Sequence, residues 1–197
     1  LIGTLWLWSI LAHAATILVV GDSISAGFGI PLQQGWVSLA EQQLQQDYPQ
    51  LTLVNASISG DTTAGGRSRL PSLLEQHQPN LVIIELGGND GLRGTPIQVI
   101  RSNLSAMVEH SQQLDADVLL LGMQIPPNYG AAYTQAFAKV FQQVSDSHDT
   151  RLVPFLLADI AGNSELMQSD GIHPTAEAQP VMATIVVNQI RDWLNRR

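Results

Sequence analysis

Residues 16–25 read TILVVGDSIS, a short apolar run that ends in a Gly-Asp-Ser turn. A continuous run of aliphatic and β-branched residues is typical of a strand that is covered on both faces, as in a parallel sheet. Ser23 follows this strand directly, where the chain leaves the sheet. It is therefore either an ordinary turn residue or a nucleophile whose partners lie elsewhere in the chain.

Four further runs have the same character, at 51–55, 81–86, 118–122 and 152–155. Strands that alternate with helical patterns predict β-α-β units and a parallel sheet with helices on both faces. We therefore predict an α/β protein: a three-layer α/β/α sandwich of flavodoxin-like type around a mainly parallel, five-stranded sheet.

The helices between these strands are read from apolar residues at helical spacing. We predict helices at 36–47, at 71–77 with Pro71 in the first turn, at 97–114, and from about Gly130 onward. The last helix is expected from Thr175, as its N-cap, to Trp193. Pro180 either kinks that helix or marks where its regular part begins.

Length and composition indicate one globular domain. The chain has 197 residues, 45% of them apolar, which is enough for a single well-packed core. A net charge of -8 argues against a nucleic-acid partner, because such binding needs clustered Lys and Arg. No cysteine is present, which excludes disulfides, a thiolate nucleophile and a Cys-based metal site.

The first residues favour export. Residues 1–11 are apolar, and Ala12-His13-Ala14 before Ala15 fits the small-x-small cleavage pattern of a signal peptide. We expect residues 1–14 to be part of a signal peptide, residues 15–197 to be the domain, and the protein to be periplasmic or secreted. The rival is a membrane anchor over residues 1–20, but that span would consume the strand at 16–20. Stable membrane insertion is therefore not expected.

Polar loops follow the predicted strands. They are GDSIS at 21–25, SISGD at 57–61 and GGNDG at 87–91, and a fourth segment, SDGIHP at 169–174, precedes the last helix. Ligands of such sheets bind outside the carboxyl ends of the strands. We expect these four segments to meet at one edge and to form the functional site.

His173 is the candidate base of this site. Asp170 precedes it by three residues, a spacing that can let the carboxylate reach imidazole Nδ1 and leave Nε2 free for the Ser23 proton. The plainer alternative is that Asp170 shapes a turn and His173 merely precedes a helix. His77, His110 and His148 lie on or near helix ends in polar surroundings and are expected to be surface residues, and His13 would leave with the signal peptide.

Gly60 and Asn89 are candidate donors for an oxyanion, together with the N–H of Ser23. A residue without Cβ can turn its N–H toward a ligand, and an amide side chain donates without changing its charge. Each residue alone could also be an ordinary turn former. Their joint presence after successive strands favours acyl transfer.

In this order, GDSIS, the Gly60 loop, GGND at 87–90 and DGIHP at 170–174 resemble the sequence blocks of the SGNH, or GDSL, hydrolase superfamily. The wider matches ASISGDTTAGG, ELGGNDGLRG, MQIPPNYG and DGIHPTAEAQP are similar to its bacterial thioesterases, lysophospholipases and arylesterases. The resemblance implies Ser23 as nucleophile, His173 as base and acid, Asp170 as its orienter, and Ser23, Gly60 and Asn89 as the oxyanion hole. The α/β-hydrolase elbow G-x-S-x-G has a glycine at the position of Ser25. The serine there favours the SGNH arrangement over that elbow.

Asp22, Asp61 and Asp90 lie beside these groups. Acidic residues in such turns usually accept hydrogen bonds from backbone N–H groups, and a hard metal ion needs several converging oxygens. The resemblance implies no metal, and we expect no cofactor.

The sequence indicates less about the substrate than about the catalytic groups. Leu92, Ile125, Pro126 and Tyr129 lie in loops expected to flank the nucleophile and offer apolar surface for an acyl chain. We therefore expect a monomeric esterase or thioesterase that acts on a small acyl ester through an acyl-serine. A carbohydrate acetylesterase with the same machinery, and a binding module without catalysis, are the alternatives.

Overall fold

The computed structural model describes residues 15–197. The predicted signal peptide at 1–14 lies outside the described residues. Five strands are present, in chain order β1 (Thr16–Gly21), β2 (Thr52–Asn55), β3 (Leu81–Glu85), β4 (Asp117–Leu121) and β5 (Arg151–Val153). They form one sheet of order β2-β1-β3-β4-β5 in which every neighbouring pair is parallel. This is the flavodoxin-like order, so the predicted fold is confirmed.

The helices in chain order are α1 (Ser23–Ala26), α2 (Trp36–Asp47), α3 (Thr63–His77), α4 (Gly88–Leu92), α5 (Ile97–Gln112), α6 (Ala131–His148) and α7 (Gln179–Leu194). Helices α2 and α7 pack together on one face of the sheet, and α3, α5 and α6 pack on the other. Among residues 15–197, none of these helices has both the length and the apolar character that a membrane span requires.

The side chains of β1 are apolar on both faces of the sheet, so both faces must be covered. Ile17 and Val19 belong to the apolar layer under α2 and α7, whereas Leu18 and Val20 belong to the layer under α3, α5 and α6. All four are fully buried, and each contributes about 1.5–3 kcal/mol on burial. The apolar run at 16–20 is therefore apolar on both sides because its strand is central.

The predicted helix at 71–77 is too short, because α3 begins at Thr63 and contains Pro71 in its interior. Thr62 caps the helix by accepting a hydrogen bond from the N–H of Gly65. A Cβ on Gly66 would lie 2.2 Å from Leu86 Cδ1, so the glycine lets α3 approach β3 closely. Gly66 therefore serves packing inside α3, and the sequence prediction missed the part of the helix that precedes Pro71.

The predicted N-cap at Thr175 is wrong. Residues Ala176–Ala178 form a 3-10 turn, and the regular helix α7 starts only at Gln179, with Pro180 in its first turn. Proline clashes with the carbonyl group four residues earlier, so the α-helix cannot extend further back. Of the two roles considered for Pro180, it marks the start of the regular helix. The Thr175 hydroxyl donates instead to the carbonyl of Glu165 at 3.3 Å.

Candidate active site

Ser23 is the first residue of α1, and only Asp22 separates it from the end of β1. Asp22 caps this helix, since its Oδ1 accepts a hydrogen bond from the N–H of Ile24 at 3.0 Å. The short turn between strand and helix holds Ser23 at the carboxyl edge of the sheet. There it lines a pocket together with Gly60, Asn89 and His173. The four predicted loop segments therefore do meet at one edge.

The side chains of Ser23, His173 and Asp170 form a hydrogen-bonded chain. His173 Nε2 lies 2.8 Å from Ser23 Oγ, and His173 Nδ1 lies 2.7 Å from Asp170 Oδ2. A carboxylate on Nδ1 keeps the proton on that nitrogen, so that Nε2 can accept the serine proton. The ring of Phe28 packs against the imidazole, with 4.4 Å between ring centroids. This geometry is suited to nucleophilic catalysis by the serine.

The loop around Asp170 is built to keep its carboxylate charged. Oδ1 accepts hydrogen bonds from the N–H groups of Ile172 and His173, at 2.9 and 3.0 Å. The hydrogen bond from the His173 ring, aided by these two backbone donors, lowers the pKa of Asp170 to about 2. Gln168 fastens the loop by donating to the carbonyls of Phe28 and Pro174. The orienting group thus remains ionised at neutral pH.

The three candidate oxyanion donors differ in what they bind at rest. The N–H groups of Ser23 and Gly60 have no acceptor within residues 15–197. Gly60 has φ 81°, a left-handed conformation that favours glycine, and it lines the pocket of Ser23. The Asn89 amide, in contrast, donates to Asp22 Oδ2 at 3.1 Å and to the Asp61 carbonyl at 2.9 Å.

Asp61 and Asp90 shape loops, as expected from the sequence. Asp61 pairs with Arg69 at 2.8 Å and accepts from the N–H of Thr62. Asp90 is buried and accepts from both the N–H and the hydroxyl of Thr63, at 2.8 and 2.7 Å. In the described part of the chain, no three His, Asp or Glu side chains are grouped so that they could hold a metal ion.

The other histidines within residues 15–197 are not among the residues that line this pocket. His77, His110 and His148 are half-buried at helix ends. His148 lies 3.9 Å from Glu109. His13 lies outside the described residues. The side chains of His77, His110 and His148 are less exposed than the sequence suggested. Of the described histidines, His173 is the one that the fold brings to Ser23.

Glu85 is the group that sequence reasoning missed. It ends β3 beneath the Ser23 turn and is 1% exposed. Its Oε2 accepts from the Ser25 hydroxyl at 2.6 Å and from the N–H of Asp22 at 3.3 Å, while Trp36 Nε1 donates to Ser25 Oγ at 3.2 Å. Ser25 thus anchors the turn to the sheet. An acidic residue at the end of an otherwise apolar strand was the available signal.

Burial, with the charge of nearby Asp22 adding to it, raises the pKa of Glu85 well above its ordinary value of 4.5. Above pH 4.5 the unfolded chain releases this proton and the folded chain keeps it, so the free energy of unfolding falls as pH rises. Glu85→Gln removes that loss. We expect the stability of Glu85→Gln relative to wild type to increase by at most about 1.4 kcal/mol per pH unit.

Urea unfolding at pH values from 5 to 8 measures this difference. The matched control is Glu75→Gln, which replaces an exposed glutamate of α3. Because this side chain is exposed, the substitution should change the free energy of unfolding by less than about 0.5 kcal/mol at each pH. A pH-independent difference for Glu85→Gln would mean that Glu85 is ionised in the folded protein.

An apolar cavity of about 340 Å³ adjoins the pocket of Ser23 and shares with it Ile24, Gly88, Leu92 and Ile172. Of the predicted substrate residues, Leu92, Ile125 and Pro126 line this cavity. Tyr129 is not among its lining residues, and its side chain is 39% exposed. The remaining wall comes mainly from residues after β5 that the sequence did not single out: Phe155, Leu156, Leu157 and Met167.

The fold and the Ser-His-Asp arrangement define the chain as a hydrolase of the serine type. Residues 19–180 match the GDSL-like Lipase/Acylhydrolase family, and the chain belongs to this family. This confirms the resemblance drawn from the sequence.

Named relatives agree with this placement. The chain is 52% identical to esterase TesA of Pseudomonas aeruginosa, covering 86% of this chain and 84% of the relative. It is 39% identical to thioesterase 1/protease 1/lysophospholipase L1 of Escherichia coli K12, covering 93% of this chain and 87% of the relative. Among solved structures, the psychrotrophic esterase EstA of Pseudoalteromonas sp., inhibited by monoethylphosphonate, has a TM-score of 0.88 at 44% identity, covering 92% of this chain and 99% of the other.

Proposed function

We propose that this protein hydrolyses carboxylic esters and thioesters of acyl chains through a covalent acyl-serine. The observation that carries the proposal is the chain of two hydrogen bonds, 2.8 and 2.7 Å long, that links Ser23 to Asp170 through His173. The names of its relatives, an esterase and a thioesterase/lysophospholipase, support the same reaction class.

In the first half of the reaction, Ser23 Oγ attacks the carbonyl carbon of the substrate and His173 Nε2 takes the serine proton. The carbonyl oxygen becomes an oxyanion that accepts hydrogen bonds from the N–H groups of Ser23 and Gly60 and from the Asn89 amide. His173 then gives its proton to the departing alcohol or thiol. The acyl group stays on Ser23 as an ester.

The second half repeats these steps with water. His173 Nε2 removes a proton from a water molecule, whose oxygen attacks the acyl carbon in place of the departed group. The same donors stabilise the second oxyanion. Its collapse releases the carboxylic acid and returns the proton to Ser23. Throughout, the Asp170 carboxylate stabilises the imidazolium and holds its orientation.

We propose that the acyl chain occupies the apolar cavity beside Ser23. Leu92 and Ile172 line both the cavity and the catalytic pocket, so the cavity lies next to the position of an acyl chain attached to Ser23. Each methylene that enters such a site contributes about 0.8 kcal/mol. This favours chains of several carbons over acetyl groups, and so favours acyl esters over acetylated sugars.

Leu92→Ala tests this placement. We expect kcat/KM for p-nitrophenyl octanoate to fall by roughly tenfold, because apolar contact with the chain is lost, while hydrolysis of the acetate changes by less than about twofold. The control is Leu114→Ala, since Leu114 is 55% exposed and follows α5 at the opposite edge of the sheet. An equal loss on both esters would remove the acyl chain from this cavity. A wild-type preference for acetyl esters would favour the carbohydrate acetylesterase.

An activity panel identifies the leaving group. Purified protein is assayed with acyl-CoA, lysophospholipid and aryl esters of equal acyl length, and with a fluorophosphonate that labels activated serines. Labelling of Ser23 with turnover of at least one substrate supports the hydrolase. A protein that neither labels nor turns over any of them would be the binding module.

We also propose that the protein is exported to the periplasm and acts there as a monomer. The small-x-small pattern at residues 12–14 supports export, and all the proposed catalytic groups come from one chain. Ala15 as the N-terminus of periplasmic protein is the expected result, with a monomer mass by sedimentation. A full-length membrane-bound form would contradict the export proposal, and a stable dimer would contradict the monomer.

A further inference from the structure

Asn89 differs from the other two oxyanion donors because both hydrogens of its amide are already bound. One is donated to the Asp61 carbonyl at 2.9 Å, and the other to Asp22 Oδ2 at 3.1 Å. A primary amide has only two hydrogens, so an oxyanion must share or take over one of these bonds. The Asp61 bond fixes one edge of the amide, and the bond to Asp22 sets the direction of the other.

Asp22 is buried beside Asn89, and its two carboxylate oxygens have different partners. Its side chain is 2% exposed, with Oδ1 occupied by the N–H of Ile24 and Oδ2 by Asn89. Burial raises its pKa to about 6. Its main-chain N–H donates to Glu85 Oε2. The carboxyl group therefore connects the turn that carries Ser23 with the helix that carries Asn89.

We infer that Asp22 is a positioning residue of the oxyanion hole, because its Oδ2 holds the Asn89 amide in the orientation from which it donates to the substrate oxyanion. This inference rests on the proposed function. In the free protein Asp22 accepts the hydrogen, which keeps a confined donor satisfied and its rotamer fixed. When the carbonyl oxygen gains its negative charge, it becomes the stronger acceptor and the hydrogen is shared with it.

Asp22→Asn tests the inference with almost no change in size. Its carbonyl oxygen can still cap the N–H of Ile24, which leaves its NH₂ group facing the NH₂ group of Asn89. Two donors cannot bond to each other, so the Asn89 amide turns away. We expect kcat to fall by about 10- to 100-fold with KM within about threefold, part of the roughly 10²–10³-fold that Asn89→Ala should cost.

Asp22→Ser is the matched variant. Serine is also a good N-cap, so α1 keeps its cap, but the hydroxyl is too short to replace Oδ2. It should lose as much kcat as Asp22→Asn. Melting curves check both variants for folding, and either one that folds decides the question.

Both substitutions are then repeated with Asn89→Ala. If Asp22 acts through Asn89, it has nothing left to position, and the second substitution should change kcat by less than about twofold. The same loss of kcat in both backgrounds would overturn the inference. It would also be overturned if the substitutions only shifted the acid limb of the pH profile, because Asp22 would then act through His173. Full activity of Asn89→Ala alone would instead overturn the proposed oxyanion hole.

Discussion

Ser23→Ala is expected to lower kcat by about 10⁶-fold and to abolish labelling by a fluorophosphonate, while the protein melts at nearly the wild-type temperature. The methyl group of alanine cannot attack a carbonyl carbon. Substrate binding should persist, because the cavity walls and the N–H groups of residues 23 and 60 remain. Fold and stability are retained because, within residues 15–197, the Ser23 hydroxyl hydrogen-bonds only to His173.

Single-turnover and steady-state assays on the preferred ester measure this loss, and mass spectrometry of the labelled protein identifies the modified residue. Ser102→Ala, which alters an exposed serine of α5, is the control and should label and react as wild type does. A Ser23→Ala protein with more than about a hundredth of wild-type activity would mean that another group is the nucleophile.

Asp170→Asn should produce the second largest loss, about 10⁴-fold in kcat. The asparagine oxygen can still accept from the N–H groups of Ile172 and His173, so the loop keeps its shape. Its NH₂ group then faces Nδ1 and makes that nitrogen an acceptor. The imidazole proton moves to Nε2, which can no longer accept the proton of Ser23.

A pH series tests this explanation. The pKa of Asp170 is lowered to about 2, so wild-type activity should not change through this carboxylate anywhere from pH 5 to 9. Asp159→Asn, which removes an exposed acid between β5 and this loop, should keep wild-type kcat. A loss of less than about tenfold in Asp170→Asn would assign His173 another orienting group.

The placement of the candidate site residues was more predictable from the sequence than the packing around them. Ser23, Gly60 and Asn89 follow the carboxyl ends of β1, β2 and β3, and Asp170 and His173 precede the last helix. Parallel strands bring those ends to one edge. Period and turn chemistry suffice for that inference. The helix predicted at 71–77 is shorter than α3. Gly66 lies inside α3 because it packs closely against Leu86, and a contact between such distant segments leaves no local signal in the sequence.

The partners of the buried polar residues beneath the site could not be predicted. Glu85 and Gln179 are almost fully buried, and each is bonded across a long stretch of chain: Glu85 to Ser25, and Gln179 to the N–H of Trp36. The outer wall of the cavity, at Phe155 and Leu157, is similarly remote from Leu92 in the sequence. Local pattern carries no information about such partners.

By itself, the sequence determined that strands alternate with helices to form a parallel sheet, and which chemical groups lie at the edge of that sheet. These features follow from local periodicity and from residue types. Only the tertiary structure decided that the Asn89 amide is held by Asp22, that Glu85 lies beneath the Ser23 turn, and which side chains enclose the cavity. Those features depend on distances of a few ångströms between residues tens of positions apart, and such distances arise only when the layers pack.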